Sequence, residues 1–124
     1  MTNELILIAE DSPEIQQYLQ EVILSPAGYQ VRMVGDGMSA LTLAKDLRPD
    51  LVITDQQMPN LTGIELIRRL SSTTNIPVIL MSSEATEDLL LAALRAGAVD
   101  YLPKPFEAEE MLAAVQRALA RRPV

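Results

Sequence analysis

The side chains able to do chemistry fall at the ends of short apolar or alternating runs. Glu10 and Asp11 follow "LILIA", Asp55 follows "LVIT", Ser82 and Ser83 follow "IPVILM", and Lys104 follows "VDYL" between Pro103 and Pro105. The 124 residues include no histidine and no cysteine. That removes Ser-His-Asp triads, imidazole and thiolate metal sites, and disulfides, and it fits a reducing compartment. Carboxylate, hydroxyl, lysine and backbone chemistry remain. If the three acids share one hollow they repel one another, and the arrangement makes sense with a cation among them. A hard, oxygen-loving ion fits such a set. Mg²⁺ is the best candidate, because it takes one or two carboxylates, keeps waters and completes its shell with phosphate oxygens.

Whether the acids meet depends on the elements that carry them. The chain alternates short strand-like runs with helical periodicity five times. Strands are expected at Leu5–Ala9, Gln30–Val34, 51–54, 76–81 and 99–102. In the first helix Ser12 suits the cap, Pro13 the first position, and Ile15, Tyr18, Leu19, Val22 and Ile23 form an apolar stripe until "SPAGY". The second carries Ala40, Leu43, Ala44 and Leu47 and ends at Arg48-Pro49; the third carries Ile64, Ile67 and Leu70. The fourth is expected over 84–96, closed by Gly97, and the fifth over 107–122 with Met111, Leu112, Val115 and Leu119 on one side. Such alternation implies an α/β fold, a doubly wound (βα)5 parallel sheet. Strands one, three and four are apolar throughout and belong in the middle; two and five alternate and belong at the edges. With right-handed crossovers the order is 2-1-3-4-5. A crevice then opens at the C-terminal ends of strands one and three, where Glu10, Asp11 and Asp55 converge across a strand spacing of ~4.8 Å.

Each residue also has a plainer reading. Asp11 can cap a helix, Asp55 can cap a loop, Ser82 can serve a turn, Lys104 can be a surface lysine and Tyr101 a packing residue. All of these must hold together, each at a strand's C-terminal end, for the crevice to be chemically idle.

The charge of −7 argues against nucleic-acid binding by this domain alone, since phosphate contacts need clustered Lys and Arg. The opening "MTNEL" lacks the features of a signal peptide. The apolar runs "LILIA" and "LLLAAL" fall far short of the ~20 residues of a membrane span. The expectation is a soluble, cytoplasmic protein.

At this point the sequence resembles the receiver domains of two-component response regulators, which share the flavodoxin-like fold. The likeness spans essentially the whole chain and rests on "ED" after strand one, "DQQMPNLTGIE" after strand three, "MSS" after strand four and "YLPKPF" after strand five. "GYQVRMVGDGMSAL" adds the second strand and helix. The resemblance implies that residues 1–124 form one receiver domain with no output domain in the chain. It implies that Asp55 accepts a phosphoryl group, that Asp11, Asp55 and the Gln57 carbonyl ligate Mg²⁺ (or Mn²⁺), and that Glu10 assists through a water. By the same resemblance Ser82 and Lys104 bind phosphoryl oxygens, the Lys104–Pro105 bond is cis, and Ser82 with Tyr101 forms the switch. Gln57 and Glu84 match the variable positions that tune hydrolysis of the acyl phosphate. Two departures stand out: Ser82 keeps the hydroxyl but lacks threonine's methyl, and Gln56 occupies a usually aliphatic position that nothing in the sequence explains.

A carboxylate can attack phosphorus and hold an acyl phosphate, and such transfer is mostly positioning and charge neutralisation. The resemblance thus implies a phosphorylation-controlled switch, not an enzyme beyond its own phosphorylation and autodephosphorylation. The donor would be a histidine kinase or a histidine phosphotransfer protein. The fourth helix, fifth strand and fifth helix would face a downstream protein or a second copy. Leu89, Leu90, Leu91 and Leu94 cannot all face one core stripe, so an exposed leucine, with Asp100, Arg117 and Arg121, is expected there. Two other readings stay open: a constitutive interaction module that is never phosphorylated, and an aspartyl-phosphate phosphohydrolase. The second lacks an acid after Asp55, where Gln56 and Gln57 are neutral.

Overall fold

Strand ends decide which side chains can meet. The structure, a computed structural model, describes residues 3–84 and 86–121. Five parallel strands, β1 (Leu5–Ala9), β2 (Gln30–Val34), β3 (Leu51–Asp55), β4 (Val78–Ser82) and β5 (Asp100–Pro103), form one sheet in the expected order β2-β1-β3-β4-β5. The three central strands are almost wholly buried, whereas β2 and β5 keep part of each face exposed. Burial on both faces is what an unbroken apolar run records.

Strand side chains alternate between faces, and each face has its own core. Leu7, Ala9, Val52, Val78 and Leu80 pack under α2 (Gly37–Leu47), α3 (Gly63–Thr73) and α4 (Glu87–Ala96). Ile6, Ile8, Leu51, Ile53, Ile79 and Met81 pack under the first and last helices. The first, α1 (Pro13–Gln17), continues as a π-helical segment over Tyr18–Leu24, and the last, α5, spans Ala108–Arg121.

Local chemistry sets the helix ends. Ser12 Oγ accepts the Ile15 N–H, and Pro13 opens α1 as expected. α2 stops at Arg48, whose left-handed backbone (φ 49°) precedes Pro49, because a residue before proline avoids the helical region. Gly97 closes α4 at φ 118°.

Several boundaries differ from the sequence reading. β4 begins at Val78 because Pro77 has no N–H to give a ladder, although its carbonyl accepts from Val52. β3 takes in Asp55 and β5 extends to Pro103. α4 starts at Glu87, not Glu84, because Thr86 is the cap and accepts the Leu89 N–H. Ala85, within the expected helix, lies outside the described residues, as does Arg122, the expected end of the fifth helix. Val22 is 56% exposed, not on the core stripe. The π-helical bonding, with Ser25 N–H given to the Gln20 carbonyl, turns Leu19, Ile23 and Leu24 inward instead. Among the described residues no helix is long and apolar enough to cross a membrane.

Candidate functional site

The register aligns the strand ends like steps. Ala9 lies beside Thr54, Asp55 beside Met81, and Ser82 beside Pro103. Glu10, Asp55, Ser82 and Lys104 therefore sit at successive C-terminal edges of four neighbouring strands. Oxygens of Glu10, Asp11 and Asp55 all lie within 4.8 Å of one another. Glu10 and Asp55 are buried while Asp11 is exposed, so the cluster has two sunken acids and one at the mouth.

Lys104 reaches into this hollow from beyond β5. Its Nζ lies 2.7 Å from Glu10 Oε1 and 3.1 Å from Asp55 Oδ1. The lysine backbone is fixed too: its N–H donates to the Ser82 carbonyl at 2.7 Å, and the Lys104–Pro105 bond is cis. Glu10 is held at both oxygens, with Oε2 accepting the Ser12 N–H at 2.9 Å. Gln16 Nε2 donates to the Glu10 carbonyl. Burial raises the Glu10 pKa above its ordinary 4.5, despite the opposing bonds from Lys104 and Ser12. For Lys104 burial works to lower the pKa, but bonds to Glu10 and Asp55 and the charge on both outweigh it and hold the ammonium above its ordinary value.

The remaining expected residues form a second, linked group. Ser82 is fully buried, and its Oγ accepts the Glu84 N–H at 3.0 Å. Tyr101, half-buried on β5, donates its hydroxyl to the Glu84 carbonyl at 2.6 Å. Gln57 Nε2 donates to Glu84 Oε1 at 3.3 Å. Glu84 thus ties Ser82, Tyr101 and Gln57 together, a junction the sequence reading missed when it placed Glu84 inside the fourth helix.

The loop after Asp55 enters α3 through a close approach. A Cβ on Gly63 would lie 2.5 Å from the Asp55 carbonyl oxygen and 2.6 Å from Leu80 Cδ1, so only glycine fits. The sequence left Gln56 unexplained; its Oε1 accepts the Ile64 N–H at 2.9 Å. The signal available in the sequence was a helix start at Gly63, whose first N–H groups lack partners within the helix.

Away from the crevice, Leu91 and Leu94 on α4 are exposed, at 41% and 49%. Asp100 and Arg117 pair with each other at 2.9 Å, and Arg121 donates to the Val99 carbonyl.

Known proteins share this fold. The family model for the response regulator receiver domain matches residues 6–116. The chain belongs to that family. It is 42% identical over 118 residues to the response regulator MprA of a Mycobacterium species (strain KMS), covering 94% of this chain and 50% of that protein. It is 34% identical over 116 residues to the DNA-binding response regulator MtrA of Mycolicibacterium smegmatis, with the same coverage of 94% and 50%. The chain thus spans about half the length of the curated relatives it matches, and the DNA binding in that name is said of the longer protein. Among solved structures, a Francisella response regulator receiver domain superposes with a TM-score of 0.90 at 31% identity, covering 96% of this chain and 98% of that one. The receiver domain of a Pseudomonas aeruginosa sensor histidine kinase, solved with a magnesium ion coordinated in its active site cleft, superposes at 0.84 with 31% identity, covering 96% and 99%. Glu10, Asp11 and Asp55 therefore occupy the position of the receiver magnesium site. The fold and the phosphorylation-switch class of the protein, a receiver domain of two-component signalling, follow from these likenesses.

Proposed function

We propose that Asp55 is the phosphoacceptor of this receiver and that residues 1–124 act as one switching unit. The observation that carries this reading is the meeting of Glu10, Asp11 and Asp55 within 4.8 Å, with Lys104 bridging two of them. The donor set is all oxygen, which suits Mg²⁺ or Mn²⁺ held by Asp11, Asp55 and the Gln57 carbonyl, with Glu10 behind them. When bound, the ion supplies positive charge between an anionic nucleophile and an anionic donor.

The chain's own residues supply the rest. An Asp55 carboxylate oxygen forms the new bond to phosphorus as the phosphorus–nitrogen bond of a phosphohistidine breaks; the electron pair stays on the histidine nitrogen. The donor is thus a histidine kinase or a histidine phosphotransfer protein. Lys104, already against Asp55 Oδ1, turns its ammonium to a phosphoryl oxygen. Ser82 Oγ accepts from Glu84 and still has its proton to donate to another phosphoryl oxygen. Gln57 and Glu84, bonded to each other, are the polar side chains assigned to orient a water toward the acyl phosphate and so to tune its hydrolysis. If Ser82 shifts toward the phosphoryl group, it pulls on the Glu84 peptide that Tyr101 also holds. The response then passes to the face of α4, β5 and α5, where Leu91 and Leu94 are exposed, as a shift between two populations. That face is assigned to a protein partner or a second copy.

Incubation with a small-molecule phosphodonor or with beryllofluoride tests this. Uptake should require Mg²⁺ and vanish in Asp55→Asn. Uptake that persists in Asp55→Asn, or none in the wild type, would refute the reading; the latter would favour a constitutive interaction module. Turnover of small phosphate esters would favour the phosphohydrolase.

A further inference from the structure

We infer that the Gln56 side chain is a positioning residue for the metal cradle, holding the loop that carries the Gln57 carbonyl before any ion arrives. The inference rests on the magnesium reading proposed above. The first N–H groups of a helix have no partner within it. Here the Gly63 N–H goes to the Gln56 carbonyl at 3.1 Å and the Ile64 N–H to Gln56 Oε1 at 2.9 Å. The Glu65 N–H goes to Thr62 Oγ1 and the Thr62 N–H to Glu65 Oε1. Gln56 thus takes two of the four, one with its backbone and one with its side chain.

The same residue is anchored behind. Its own N–H donates to the Met81 carbonyl of β4 at 2.9 Å. Three bonds therefore clamp the residue that follows Asp55, and they close the base of loop 57–62 as a ring. The far side of the loop is fixed by buried Leu61 and by the Gly37 N–H on the Pro59 carbonyl. Gln57 is the residue next to this clamp, so the clamp restricts the peptide whose carbonyl the magnesium reading assigns to the ion. An aliphatic side chain at 56 would keep the two backbone bonds and lose the third. The Ile64 N–H, on a residue only 8% exposed, would then need another acceptor. Groups that orient ligands without touching the metal typically change affinity 10–100-fold when removed.

Gln56→Met keeps length and removes the acceptor; Gln56→Glu keeps an acceptor oxygen at the same reach. NMR titration with Mg²⁺ alone gives the affinity, and amide exchange of Gly63 and Ile64 reports the clamp. The expected result is Mg²⁺ binding about 10-fold weaker in Gln56→Met, with faster Ile64 exchange. Gln56→Glu should keep Ile64 protected and bind Mg²⁺ at least as tightly as the wild type. Mg²⁺ affinity within twofold of wild type in Gln56→Met overturns the inference, whatever the exchange rate, and leaves Gln56 a helix cap only. Wild-type protein that binds no Mg²⁺ overturns both this inference and the phosphoacceptor reading, so the two failures are distinguishable.

Discussion

Replacing Lys104 with methionine tests what allows the acids to share the crevice. The like-charged oxygens lie within 4.8 Å, where two unit charges at an effective dielectric of about 20 repel by roughly 3.5 kcal/mol. Lys104 opposes this from 2.7 Å and 3.1 Å. Methionine keeps much of the stem's packing and removes the charge. The protein then has one cheap escape: Glu10, whose pKa burial already raises, takes up a proton. From the ordinary value of 4.5, neutral pH is about 2.5 units away, and at about 1.4 kcal/mol per unit the proton costs roughly 3.4 kcal/mol. That figure caps the electrostatic loss, so Lys104→Met should lower stability at pH 7 by up to about 3 kcal/mol.

The sign follows from linkage. An acid whose folded pKa lies above its unfolded value stabilises fully below the unfolded value and loses that contribution as pH rises through the folded one. The deficit of Lys104→Met should therefore shrink on acidification from pH 7, and stop changing once wild-type Glu10, whose own pKa is also raised, takes up its proton as well. Saturating Mg²⁺ at pH 7 should restore much of the loss, because binding to the folded state alone is stabilising and opposes the same charges. Urea unfolding followed by circular dichroism, at pH 5 and 7 and with and without Mg²⁺, measures all three. A deficit independent of both pH and Mg²⁺ would falsify this electrostatic account and assign Lys104 to packing.

Gly63→Ala should cost about 3 kcal/mol in urea unfolding, because the added methyl meets the Asp55 backbone carbonyl, which cannot swing aside as a side chain can. A stabilised variant would contradict the close approach. Asp36→Ala removes the α2 cap, whose carboxylate accepts the Ser39 N–H at 2.8 Å, and should cost about 1 kcal/mol at pH 7. Those bonds from Ser39 lower the Asp36 pKa below 3.8, so the cap's contribution is complete above 3.8 and lost as pH falls through the lowered value. The gap between Asp36→Ala and wild type should close only in acid. Arg117→Ala breaks an exposed pair with Asp100 and should move thermal stability by less than about 1 kcal/mol; a larger change would mean the pair supports the β5–α5 packing.

Sequence and structure agree where one physical cause dominates. β1, β3 and β4 read as central because burial on both faces leaves no polar alternation, and the strand order followed. The convergence of the acids, Ser82 and Lys104 at one edge was legible because parallel strands deliver their C-terminal ends there, whatever the loops do. The misses share a different origin. Val22 was assigned inward by ordinary helical spacing, but the π-helical bonds at Ser25 reset the face. Glu84 was assigned to a helix, yet its N–H is taken by Ser82 and its carbonyl by Tyr101, seventeen residues on. Gln56 finds its partner eight residues ahead. In each case the sequence shows that a backbone group needs a partner, while the choice among candidates depends on distances set only once the sheet has formed. Competition for hydrogen-bond partners is thus what periodicity cannot read. It reaches into the middle of the first helix at Val22, and it concentrates at strand ends, where helices begin and loops turn, as at Glu84 and Gln56.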